Sequence, residues 1–411
     1  VLKDQISGAN PFAPLVAVPI LNAVGILQAR PKLVYLKDDP KLGKFRKDFA
    51  NMLGMIELHP TNRDRDSGQF KDVKKIIGTE KLFRRLEKKR EEKVDSREYL
   101  KARLIDIFLG DWDRHVDQWR WAKYKQDEGS VWRPIPRDRD QVFAKFDGIL
   151  PAITAHLVIH LSHFARNYTS IRQITWSGRY LDRRYLPELD RKTWKEVTRM
   201  VQSRLTDQVI VDAVKQLPAE AYEKVGSDLI DKLKHRRNKL GLMSDKYYRM
   251  INRVVDLFCS DRRDFVEIER LDNRWTRIDL YKRSKKTGKK KGRSLYHKRV
   301  DGELTSEIRV YLNDGNDQVV VTGVVERGPK IRVIGGKGKD HLINKSKVKG
   351  KFLAITPITI NRQKTFFYDS GKKTIIQKVS GTSVSKRKVK KPKTMAERYE
   401  PLQKNRGKDF Y

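Results

Sequence analysis

The feature that most constrains this fold is a change of period at Cys259. From Thr193 up to that point apolar residues recur at helical spacing. Beyond it, residues 266–271, 275–281, 307–312, 319–325 and 330–334 alternate like strands. A chain whose apolar period switches from 3.6 to 2 does not bury both parts in one kind of layer. The pattern predicts an α+β protein. An α-rich domain covers 1–260, an all-β domain (a short solenoid or sandwich-like) covers 261–380, and a basic linker covers 381–411, toward a further C-terminal region.

Within the first part, Thr79 and Ser96 are expected to cap helices, the second with Tyr99, Leu100, Leu104, Ile105 and Phe108 on one stripe. Residues 45–58 read as helix. Thr206, Ser227 and Ser244 are expected to cap three more, the middle one stopping at Gly241. Residues 118–124 and 131–135 read as two strands around the turn at Asp127-Glu128-Gly129.

The 411 residues carry 91 basic and 52 acidic side chains, a net charge of +39. Residues 267–411 hold 38 basic against 15 acidic, so the β region is the more cationic one. Such a field attracts anionic surfaces: lipid or lipopolysaccharide head groups, acidic polymers, nucleic acid. The basic runs 285–293 and 386–393 carry no interleaved aromatics for base stacking, so sequence-specific nucleic-acid recognition is not expected. A single cysteine, Cys259, excludes a disulfide within the chain and any cysteine metal cluster. The uncharged run 5–29 contains Pro11, Pro14 and Pro19, which break a spanning helix, and reads as packed core.

Chemistry concentrates between residues 110 and 143. Gly110-Asp111-Trp112-Asp113-Arg114-His115-Val116-Asp117-Gln118 follows an apolar helix pattern, and Arg137-Asp138-Arg139-Asp140 follows a strand pattern. An Asp-Arg-His with an amide five residues after its Asp, then a second acidic cluster, is the layout of a phosphoryl-transfer site. Asp113, Arg114 and His115 are the catalytic candidates. Gln118, Asp138 and Asp140 are the candidate ligands for a metal ion and its nucleotide. The plainer alternative is a salt-bridge knot that pins two loops. Four of the seven Trp lie in this stretch, and desolvated carboxylates beside such a wall need a cation or Arg partners under either reading.

Two lesser motifs stand outside it. Gly335-Gly336-Lys337-Gly338-Lys339-Asp340-His341-Leu342-Ile343 matches a calcium-binding β-roll nonapeptide, with Asn313-Asp314-Gly315-Asn316-Asp317 as a partial copy. Lys337 and Lys339 put positive charge where the cation belongs, so structural turns are expected and calcium is not. His156, His160 and His163 share a helical face at metal-ligand spacing, but without a nearby carboxylate or Cys they read as core or pocket lining.

The residues 110–143 resemble a domain of Gram-negative outer-membrane-associated proteins that join a calcineurin-like metallophosphoesterase to a BamA-type surface-antigen barrel. Lys3-Asp4-Gln5-Ile6-Ser7, Pro31-Lys32-Leu33-Val34-Tyr35, Glu307-Ile308-Arg309, Ile334-Gly335-Gly336-Lys337-Gly338 and the tail from Tyr399 to Tyr411 are similar to the same family. The central motif also resembles atypical kinases of the spore-coat-protein-H, secretory-pathway and lipid-kinase types. Those resemblances imply a kinase-like C-lobe ahead of the β domain. They imply Asp113 as the catalytic Asp, Gln118 as the metal-side amide where the family has Asn, and Asp138 or Asp140 as metal ligand, with Mg or Mn and a nucleotide. They further imply a periplasmic, outer-membrane or cell-surface location, with the phosphoesterase and the barrel on the same parent chain. The rival expectation is a catalytically inactive scaffold or binding module that contacts an anionic surface or a partner protein. A weaker one is charge-driven nucleic-acid binding. No Gly-rich strand pair with a phosphate-binding Lys precedes residue 80.

Overall fold

The computed structural model describes residues 10–64, 68–145, 162–349, 365–371 and 373–386. His156, His160, Lys3 to Ser7, the tail from Tyr399 and most of the 386–393 run lie outside them. The fold mixes helices with several sheets, as an α+β chain does. It divides into two compact units. One comprises Val1–Thr79, Val94–Arg179 and Arg191–Lys246, and the other Glu80–Lys93, Tyr180–Asp190 and Tyr247–Tyr411.

In the first unit, helix Ser96–Leu109 is central. Twelve of its fourteen residues are buried, because it is covered on every side instead of lying on a surface. Asp95 caps its start through a bond from Glu98 N, one residue earlier than the Ser96 expected from sequence, and Gly110 in the left-handed region closes its end. Antiparallel strands Lys75–Gly78, Trp119–Lys125 and Ser130–Pro136 bring Trp119 and Trp121 onto Tyr99, with ring centroids 5.2 and 5.9 Å away. Helix Arg191–Arg204 packs on the central helix. The apolar run near the N-terminus forms helix Ala13–Val24, with Val16, Ala17, Ile20 and Leu21 buried and Pro14 in its first turn. No helix among the described residues is long and apolar enough to cross a membrane.

Of the helix expected over residues 45–58 only one turn forms, at Arg46–Phe49. The chain then extends as Met52–Ile56 and pairs antiparallel with Lys32–Leu36. The interrupted helices expected after residue 219 are one helix, Ala219–Asn252. Leu229, Leu233, Leu240, Tyr247 and Ile251 keep one buried stripe through Gly241, whose cost of about 1 kcal/mol relative to Ala is tolerated.

The second unit is built from parallel ladders. Val254–Phe258, Glu307–Tyr311, Lys330–Ile334, Thr365–Tyr368 and Thr382–Ser385 stack in one sheet. Asp264–Arg270, Gln318–Thr322, His341–Asn344 and Ile375–Gln377 stack in another. The chain alternates between the two sheets, so each coil adds one strand to both. Inward residues Val255, Leu257, Val266, Ile268, Ile308, Val310, Val319, Val321, Ile331, Val333 and Leu342 form one core. The hairpin Trp275–Arg283 and Lys290–Asp301 is inserted between the first two coils and pairs antiparallel with Asp264–Arg270.

Candidate functional site

Two chain reversals build the site. The first follows helix Ser96–Leu109. Gly110 takes φ +73°, and a Cβ there would meet the Phe164 ring at 2.9 Å, so only glycine turns the chain this way. The second follows strand Ser130–Pro136, where Asp138 adopts φ +53°. A non-glycine residue in the left-handed region costs energy, and such positions cluster at functional sites. Asp138 is held there by its own N–H, which donates to both Glu57 carboxylate oxygens at 3.1 and 3.3 Å.

Arg114 joins the two reversals. It is fully buried, and its Nη1 donates to Gln118 Oε1 at 2.6 Å, to the Arg137 carbonyl at 2.5 Å and to the Asp138 carbonyl at 3.0 Å. Its guanidinium lies 4.7 Å from the centre of the Trp119 ring. Behind it, Asp106 takes Arg103 on one oxygen at 2.7 Å and Arg139 on the other at 2.9 Å. Arg139 reaches on to Asp111 at 3.0 Å. Burial opposes ionisation of Asp106, but Arg114, Arg139 and Arg103 together hold its carboxyl below the usual range. Burial wins at Asp111 and, with Asp106 and Asp140 adding repulsion, pushes it up to about 7.

The reversals meet. Gln118 Nε2 donates to Asp138 Oδ2 at 3.3 Å. Burial first, then the charges of Asp140 and Asp113, raise the Asp138 carboxyl against the pull of Arg114 and Arg137. Glu57 is raised by burial as well. The four sequence candidates Asp113, Gln118, Asp138 and Asp140 therefore share one neighbourhood. His115 sits at its rim, half-exposed, with Nε2 4.0 Å from Asp113 Oδ2.

Glu57, Asp138, Arg139 and Asp140 line one side of a cavity of about 170 Å³. Pro14, Ala17, Val18 and Leu21 of the N-terminal helix form its apolar wall. Gln28 also reaches it, and the Gln28 Oε1 is buried without a hydrogen-bond partner. Asp138 and Asp140 are the sequence candidates that face this space. Gln118 differs from its expected role, because its amide oxygen is taken by Arg114. Among the described residues no three His, Cys, Asp or Glu side chains are grouped to hold a metal ion, so a cation here would rest on Asp138 and Asp140 with water.

Sequence reasoning missed Glu57, which lies in the stretch read as helix. It also left Asp111 and Arg139 without roles, although both stand inside the quoted motif. At the nonapeptide, Gly336 and Gly338 pack so tightly that a Cβ would overlap the carbonyl oxygens of Asn313 and Gly315. Asp317 and Asp340 there accept main-chain N–H groups of the preceding coil. Comparison with family models, with curated proteins and with solved structures gave no match to this chain.

Proposed function

We propose that the Asp138–Asp140 cavity is a cation-dependent phosphoryl-transfer site of atypical-kinase type, in a kinase-like domain followed by a basic β-solenoid. The parent protein on this reading works at a Gram-negative outer membrane. The observation that carries it is the meeting of the two loops. Gln118 touches Asp138 at 3.3 Å, and Asp113, Asp138 and Asp140 are close enough to perturb one another beside a cavity.

Asp138 and Asp140 are the residues that would hold Mg²⁺ or Mn²⁺, which when bound would supply neutralisation of charge on the transferred phosphoryl group. Asp113 orients the acceptor hydroxyl. Arg114 and Gln118 fix the spacing of the two loops. The cavity suits a hydrated ion and a phosphoryl group, with water taking about 30 Å³ per molecule. The bulk of a nucleotide extends beyond it.

The rival reading, an inactive scaffold that meets a partner protein or an anionic surface, has one observation in its favour. Arg114 occupies the Gln118 oxygen that a metal would use. Thermal denaturation of the whole chain with Mg²⁺ or Mn²⁺ and a nucleotide separates the two. A stabilising shift that disappears in Asp140→Ala supports phosphoryl transfer. The absence of a shift with ion, nucleotide or both leaves the scaffold.

A further inference from the structure

Among the described residues, strands Lys32–Leu36 and Met52–Ile56 form a sheet of two strands. Six of the twelve large apolar side chains exposed among the described residues belong to this hairpin: Tyr35, Phe45, Phe49, Met52, Leu53 and Ile56. The other exposed apolar residues, Leu58 apart, are scattered along the chain. The register puts Tyr35 and Leu53 on one face of the hairpin and Met52 and Ile56 on the other, with Phe45 and Phe49 in the connection between the strands. Apolar side chains exposed on both faces of one small element mark a contact segment, whereas single exposed residues do not. Two-stranded hairpins are also marginal in water on their own.

The polar residues among these side chains identify the contact. Lys32, Lys37, Lys41, Lys44 and Lys47 are all exposed. The acids are fewer and two are engaged locally: Asp38 accepts from Arg46 at 3.1 Å, and Asp39 accepts from Lys41 N at 2.8 Å. Protein–protein interfaces are enriched in aromatics, Met and Arg but depleted in Lys. This hairpin is rich in Lys. Aromatic rings beside flexible lysines suit a fluid, negatively charged interface, where rings settle at head-group depth and ammonium groups meet lipid phosphates.

We propose that hairpin 32–56 is a monotopic anchor that seats this protein on an anionic phospholipid surface. The inference rests on the hairpin alone and stands or falls separately from phosphoryl transfer. The chain's charge of +39 also attracts anionic vesicles without insertion. The test therefore alters apolar contact and leaves charge constant. The whole chain and its Phe45→Ser/Phe49→Ser variant are sedimented with phosphatidylcholine vesicles, with and without phosphatidylglycerol, at rising salt. Wild type is expected to bind the anionic vesicles and to retain a salt-resistant fraction. The variant, with an unchanged melting temperature, is expected to bind about tenfold or more weakly and to lose that fraction. Equal binding by both proteins overturns the proposal, as does no preference for anionic vesicles. If instead the substitutions abolish self-association seen by sedimentation velocity and leave vesicle binding unchanged, the hairpin is a protein interface.

Discussion

Arg114 carries more of the local structure than any acid in the motif. One guanidinium donates to an amide oxygen and three main-chain carbonyls, stacks on Trp119, and faces Asp106 at 3.5 Å and Asp111 at 3.6 Å. Arg114→Ala leaves two buried carboxylates short of a cation and two loops without their tie. The expected loss is about 3–5 kcal/mol in chemical denaturation of the whole chain. Arg114→Lys is expected to recover only part of it, since an ammonium cannot reproduce the planar fork. A variant as stable as wild type would show that the tie is dispensable. The sequence made the conjunction of Asp113, Arg114, Gln118 and Asp138 legible, because Asp-Arg-His and Arg-Asp-Arg-Asp stand at the ends of two readable elements. It did not reveal that the Gln118 oxygen is already bound. That depends on the direction in which Arg114 points, set by carbonyls more than twenty residues away. Glu57 was hidden for a different reason: Phe45, Phe49, Met52, Leu53 and Ile56 mimic a helical stripe, yet all five are exposed and none belongs to a buried core.

At the scale of elements, the β coils were legible wherever alternation was clean, as at Lys330–Ile334. Strand Val254–Phe258 was not, because Ile251, Val254 and Leu257 continue a helical spacing while Val255 and Leu257 also alternate. Its pairing with Glu307–Tyr311 decides between them. The nonapeptide marked a coil corner, and a ladder of aspartates runs through that corner. Asp264 N donates to Asp317 Oδ1 at 2.7 Å and Asp317 N donates to Asp340 Oδ1 at 2.9 Å. Asp317 Oδ2 is buried without a partner. Burial, joined by Asp340 and Asp264, pushes the Asp317 carboxyl up to about 9 against the Asp264 N–H and Arg283. Burial, joined by Asp369, brings Asp340 to about 6. An unfolded Asp ionises near 3.9, so between about pH 4 and pH 9 the folded state binds the extra proton. Asp317 therefore lowers stability as pH rises through that window, by up to about 1.4 kcal/mol per pH unit. Asp317→Asn keeps the oxygen that accepts from Asp264 N and cannot ionise. Its melting temperature relative to wild type is expected to climb steadily from pH 5 to pH 8. A gap that stays flat with pH would mean that Asp317 is already ionised in the fold. The same corner makes Gly336→Ala costly. Its Cβ would lie 1.2 Å from the Asn313 oxygen, so the coils must separate, with an expected loss of about 3 kcal/mol or more in urea unfolding.

At the scale of the whole molecule, the charge of +39 decides how a nucleotide experiment must be read. A field of that size attracts any polyanion at low salt, and a shift seen with a nucleotide under those conditions says nothing about Asp140. Two properties distinguish a built site from the field. Field-driven association fades as the screening length shortens toward about 8 Å at physiological ionic strength, whereas contacts inside a partly enclosed cavity are screened much less. The two also respond oppositely to loss of an acid. Replacing Asp140 by Ala makes the protein more cationic, so it strengthens non-specific attraction for the nucleotide. If Asp138 and Asp140 hold a cation that bridges to phosphate, the same substitution weakens binding, and only when the metal is present. The expected outcome, read by titration calorimetry at physiological salt, is a Mg²⁺- or Mn²⁺-dependent signal that Asp140→Ala removes. Binding that is indifferent to metal, stronger in Asp140→Ala and erased by salt would assign all of it to surface charge, and the acidic cavity would then be a folding device clamped by Arg114 and Arg139.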